Sequence, residues 1–142
     1  PRALEHMRRV GHFEFGLDRR PIHTGDDDTI DHIRQLWADG EEVEGWARYW
    51  AMIYADVDAR LARDPQLADA ALIIRYEDLC GDSRAVLERF YAHCGLETDP
   101  ATIEQAASRL RLPGYYKPAF SDAELARIRE ITGPVAARFG YT

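Results

Sequence analysis

Apolar residues recur at three- and four-residue steps along most of this chain, and that spacing predicts a succession of helices. The clearest run spans Glu41 to Asp64. Val43, Trp46, Trp50, Ile53, Tyr54, Val57 and Leu61 fall there on one helical stripe, which Pro65 ends. Upstream, Asp26, Asp27 and Asp28 precede Ile30, Ile33, Leu36 and Trp37; carboxylates suit the positive end of a helix, and Gly40 breaks it. Downstream, Asp82 or Ser83 caps a helix that turns Val86, Leu87, Phe90, Tyr91 and Cys94 inward until Gly95 stops it. Asp99-Pro100 opens another through Ile103, Ala106 and Leu110. Ser121-Asp122-Ala123-Glu124 is a capping box for the last helix, with Leu125, Ile128, Ile131 and Val135 on one face and Pro134 expected to kink or restart it.

Elsewhere the helical period fails. Pro1 to Val10 still predicts a short helix, but Gly11 to Gly25 has three glycines, a proline and two adjacent arginines, and predicts a long ordered loop. Such loops inside compact domains are often functional. Leu112 to Pro118 is a second, aromatic turn-rich loop, since two prolines and a glycine interrupt it. Ala70 to Ile74 is a short apolar run with β-branched residues, which predicts a buried strand. Arg75, Tyr76, Glu77 and Asp78 then stand at its carboxyl end, the edge where open α/β sheets bind ligands. A lone strand is unstable, so companion strands are implied, either within this chain or outside it.

Length and charge narrow the function. At 142 residues the chain supports one core. Its composition, 46% hydrophobic and 30% charged, is that of a globular protein without an apolar stretch of bilayer length, so no membrane partner is expected. The net charge of −7 argues against nucleic acid, because a polyanion is repelled. Two cysteines, Cys80 and Cys94, make neither a disulfide scaffold nor a metal set, which predicts a cytoplasmic protein with no metal.

The run Ile74-Arg75-Tyr76-Glu77-Asp78-Leu79 resembles the Arg-Tyr-Glu-Asp-Leu segment of sulfotransferases that use 3'-phosphoadenosine-5'-phosphosulfate. Phe120-Ser121-Asp122-Ala123-Glu124-Leu125-Ala126-Arg127-Ile128 through Gly140-Tyr141 is similar to the family's terminal helix. The Tyr115-Tyr116-Lys117 loop and Gly11-His12-Phe13-Glu14-Phe15-Gly16-Leu17-Asp18-Arg19-Arg20 also look like family segments. The resemblance implies an α/β fold similar to P-loop nucleotide kinases. This chain, residues 1–142, would be the mostly helical C-terminal half of one domain, with a parallel strand at about 71–76; an all-helical chain with no strand there would remove the family assignment. It also implies transfer of a sulfuryl group from the phosphosulfate donor to a hydroxyl or amine on a small-molecule acceptor.

Two family features have no match here. No Gly-rich loop with Lys-Ser/Thr, which would hold the 5'-phosphosulfate on backbone amides, occurs in the chain. Of the Arg-x-Pro-(x)5-Ser segment that grips the 3'-phosphate, Pro1-Arg2-Ala3 looks like the tail, with Met7 where the serine belongs. The expectation is a chain inactive by itself, completed by a donor-binding N-terminal half or by a homo-oligomer. The alternative is a non-catalytic helical interaction module derived from that fold.

The resemblance assigns Tyr76 to the adenine of the donor, with Arg75, Tyr116 and Lys117 as further donor contacts, although Lys117 reads equally as a surface lysine. A structural ion pair serves Arg75 equally well, and Tyr76 is otherwise a strand tyrosine with a satisfied hydroxyl. Arg19 and Arg20 either hold an anionic acceptor or phosphate through bidentate hydrogen bonds or are solvated arginines of an exposed loop. His12 and Glu14 are candidate bases beside the acceptor, because sulfuryl transfer needs a group to take the acceptor proton. The tryptophans Trp46 and Trp50 serve either a core stripe or a stacking site.

Overall fold

The computed structural model describes residues 19–114 and 119–141. The described residues form helices and turns with no strand. The helices are α1 (Asp27–Ala38), α2 (Glu42–Arg63), α3 (Pro65–Ala70), α4 (Tyr76–Gly81), α5 (Ser83–His93), α6 (Pro100–Ala107) and α7 (Asp122–Ala136), followed by a 3-10 turn, Ala137–Phe139. They belong to two compact units, one made of residues 1–60 and 120–142, the other of residues 61–119.

Local chemistry sets the helix ends. Asp26 caps α1 by accepting from the Thr29 N–H, and Asp64 caps α3 by accepting from Gln66 and Leu67. Asp82 caps α5 and Asp99 caps α6, with Pro100 at the first helical position. Ser121 and Glu124 complete a reciprocal capping box on α7. That helix runs through Pro134 to Ala136 and tightens into the 3-10 turn.

In the first unit the core is Ile30, Ile33 and Trp37 of α1 with Ala47 and Tyr49 of α2. Trp37, Trp46 and Tyr49 form an aromatic trio with centroids 4.6 to 5.9 Å apart. The inward face of α2 differs from the expected stripe: Gly45, Ala47 and Tyr49 are buried, whereas Trp46 and Ile53 are only partly so and Tyr54 is exposed. Gly45 explains part of the shift. A Cβ there would sit 2.5 Å from the Trp37 ring, so only glycine lets the indole lie against the helix backbone. Glu44 of α2 is clamped by Arg127 of α7, with two N···O distances of 2.8 Å, and by Arg48 at 2.7 Å. These bonds, from Arg127 first and Arg48 second, hold the Glu44 carboxyl down at about 2.

The second unit is thinly packed. Val86 of α5 and Ile103 of α6 are its buried hydrophobic residues, while Leu67, Ile73, Phe90, Leu96 and Leu112 are exposed. Phe90 and Cys94, expected to face inward, lie at the surface.

The expected parallel strand at 71–76, and with it the α/β class, is overturned. The 71–75 stretch is extended at both ends, Ala71 at φ −93° and ψ 134° and Arg75 at φ −74° and ψ 138°, but it pairs with no described segment. Tyr76 begins α4 instead. Apolar, β-branched residues favour an extended backbone, yet a strand exists only when a neighbour completes its hydrogen bonds, and no described segment does so. Glu77 and Asp78 favour the opposite state, because carboxylates in a first turn stabilise a helix start. The sheet edge on which ligand binding was expected is therefore missing from the described residues.

Candidate functional site

The sequence-selected residues fall in separate places. Arg75 closes a fork on Asp78, with Nε to Oδ2 at 2.7 Å and Nη2 to Oδ1 at 2.5 Å. That hydrogen-bonded pair, aided by the charges of Arg75 and Arg89, lowers the Asp78 carboxyl below its ordinary value. Arg75 is thus the structural ion-pair member in this conformation. Tyr76 is 50% exposed, and its hydroxyl donates to the Arg111 carbonyl at 3.4 Å, a long bond. A buried strand tyrosine is excluded, and half of its surface is open to a ligand. His12, Glu14, Tyr116 and Lys117 lie outside the described residues.

Arg19 and Arg20 belong to the first unit and are joined there by a residue sequence reasoning missed. Arg34 of α1 lines the same hollow, about 300 Å³ in volume, together with Trp37 and Ala38. Arg19 pairs with Glu42 of α2. Arg34 donates to Asp31 at 3.1 Å and approaches His23 Nε2 at 3.4 Å. The segment that carries Arg19 and Arg20 is pinned: Pro21 is buried, and the Ile22 N–H donates to the Tyr49 hydroxyl at 2.9 Å. Arg19 itself adopts a left-handed backbone at φ 45°, a conformation that costs an L-residue about 1–2 kcal/mol. The signal that finds Arg34 is its spacing: it stands three residues before Trp37, one helical turn away on the same side of α1.

A larger open cleft of about 990 Å³ in the first unit has an apolar floor that includes Met52, Ile131 and Val135. Arg48, Arg127 and Glu130 also line it, but Arg127 is bound to Glu44 and Glu130 and Arg48 to Glu44, so their charges are spent inside the protein. No group of His, Cys, Asp or Glu among the described residues is arranged to hold a metal. No helix among them is long and apolar enough to cross a membrane. Comparison with protein-family models, with curated proteins and with solved structures finds no match for the chain.

Proposed function

We propose that this chain is a segment of a sulfotransferase, in which Arg19 and Arg20 serve the acceptor pocket and Tyr76 part of the adenine site. The reaction is sulfuryl transfer from 3'-phosphoadenosine-5'-phosphosulfate to a hydroxyl or amine. The observation that supports it is Tyr76: within Arg75-Tyr76-Glu77-Asp78-Leu79 half of its surface is exposed, which leaves room for an adenine to pack against it. The missing strand removes the fold argument for the family, so the proposal rests on these side chains and on the order of the motifs along the sequence alone. Donor-phosphate ligands must come from residues other than a Gly-rich Lys-Ser/Thr loop in this sequence, which has none. Free Cys80 and Cys94 fit a reducing, cytoplasmic setting.

Calorimetric titration of the complete protein with the desulfated donor, 3'-phosphoadenosine-5'-phosphate, tests the reading. Tyr76→Ala is expected to weaken binding by about 1–3 kcal/mol, the scale of a lost aromatic stack plus a hydrogen bond, and Tyr76→Phe by the hydrogen-bond share alone. Unchanged affinity in a folded Tyr76→Ala protein would sink the adenine role.

One observation favours the second reading, a non-catalytic helical interaction module. Leu96 and Leu112 are 54% and 57% exposed in a unit with two buried hydrophobic residues among those described, and apolar surface of this kind marks interfaces. The same titration separates the two, because a module of that kind has no use for the nucleotide.

A further inference from the structure

We infer that Asp78 is a positioning residue: its fork with Arg75 closes over the start of α4 and fixes where the Tyr76 ring stands. This rests on the adenine role proposed for Tyr76, and the experiment separates failure of the one from failure of the other.

Helices α1, α3, α5, α6 and α7 each begin at an Asp or Ser whose side chain accepts from a first-turn N–H. Helix α4 begins differently. Its cap residue is Arg75, whose side chain has no acceptor to offer and makes no capping bond. Six residues are too few to hold a helix by propagation alone, because its first turn is costly to form. The fork stands in for the cap. Both carboxylate oxygens of Asp78, the third residue of α4, accept from the Arg75 side chain, at 2.7 and 2.5 Å. Two parallel bonds between planar groups allow little rotation, so they tie Arg75 to Asp78 across the turn that contains Tyr76. The Leu79 N–H, donating to the Arg75 carbonyl at 3.0 Å, closes the same turn along the backbone. Arg89 of α5 adds its charge near Asp78. A partly exposed ion pair contributes little to overall stability, so the consequence is local: the fork sets the backbone from which the half-exposed Tyr76 ring projects.

Charge alone predicts the opposite behaviour. Asp78 is an anion and the nucleotide carries phosphates, so neutralising a carboxylate near that ligand tightens binding unless the carboxylate holds something the ligand needs.

The experiment titrates the complete protein with 3'-phosphoadenosine-5'-phosphate by calorimetry, as parent, Asp78→Asn, Tyr76→Ala and the double variant, with hydrogen exchange of the Leu79 amide read without nucleotide. Asp78→Asn is expected to bind about threefold more weakly than the parent at an unchanged melting temperature, and to speed exchange at Leu79. In the Tyr76→Ala background the same substitution should weaken binding no further, since the ring it places is gone. Asp78→Glu, which keeps the carboxylate on one more methylene, should recover part of the affinity, and Asp78→Ser answers for Asp78→Asn should that variant misfold. Glu88→Gln, which loosens a pair with Arg84 in the same unit, should behave as the parent does. Tightened or unchanged binding by Asp78→Asn, an equal loss with and without the Tyr76 ring, or Leu79 exchange at the parent rate would overturn the inference. The two failures are distinct: an inert Tyr76→Ala removes the adenine reading and this inference with it, whereas a Tyr76 effect beside an inert Asp78→Asn removes the inference alone.

Discussion

Gly45→Ala pits two effects of opposite sign against each other. In a helix interior, glycine to alanine ordinarily gains about 0.5–1 kcal/mol, because alanine loses less backbone freedom on folding. At Gly45 the new methyl would lie 2.5 Å from both Cδ1 and Nε1 of Trp37 and 3.4 Å from Cε2. Carbon contacts are comfortable at about 3.5–4.0 Å, so the overlap is roughly 1 Å at two ring atoms. The indole has no easy retreat: it is buried, with Trp46 at 4.6 Å and Tyr49 at 5.8 Å, and its N–H already lacks a partner. Overpacking of this kind costs about 1–3 kcal/mol. The steric effect wins, and Gly45→Ala is expected to lose about 1–2 kcal/mol net by denaturant unfolding followed by tryptophan emission. Gly81→Ala, with open space around its Cβ, is the control and should lose nothing. A Gly45→Ala protein as stable as its parent would refute the tight seating of Trp37 on α2.

Glu44→Gln is expected to cost about 1–2 kcal/mol at neutral pH, since it weakens the charged bonds from Arg127 and Arg48. The folded carboxyl is held at about 2 against 4.5 ordinarily, so its stabilisation is full above pH 4.5 and is lost as pH falls towards 2. Parent and variant unfolding curves should converge across that window; a constant difference down to pH 2 would refute the clamp. Ser121→Ala should lower stability by about 1 kcal/mol through loss of the α7 cap, measured by thermal unfolding. An unchanged melting temperature would show the cap to be idle.

The sequence by itself determined α1, α2, α5, α6 and α7 and most of their ends, but neither α3 nor α4. Capping by Asp26, Asp82, Asp99 and Ser121, the stop at Gly40 and the break at Pro65 act within one turn of chain, so each is legible from neighbouring residues. Tertiary structure decided what depends on distant partners. Ala71 to Arg75 has the composition of a strand and extended backbone at both ends, but whether it becomes one is settled by a second strand that local residues do not encode. The buried face of α2 turned on Gly45 accepting Trp37 from another helix, and periodicity weighs side chains without knowing what will press on them. Tyr76 shows the same limit, since one residue type suits a buried strand or an exposed helix start, and only packing put it at the surface. The arginine hollow lies between these cases. Arg19 and Arg20 stand out as an adjacent pair, while Arg34, 14 residues further along the sequence, joins them only because α1 folds back beside their loop.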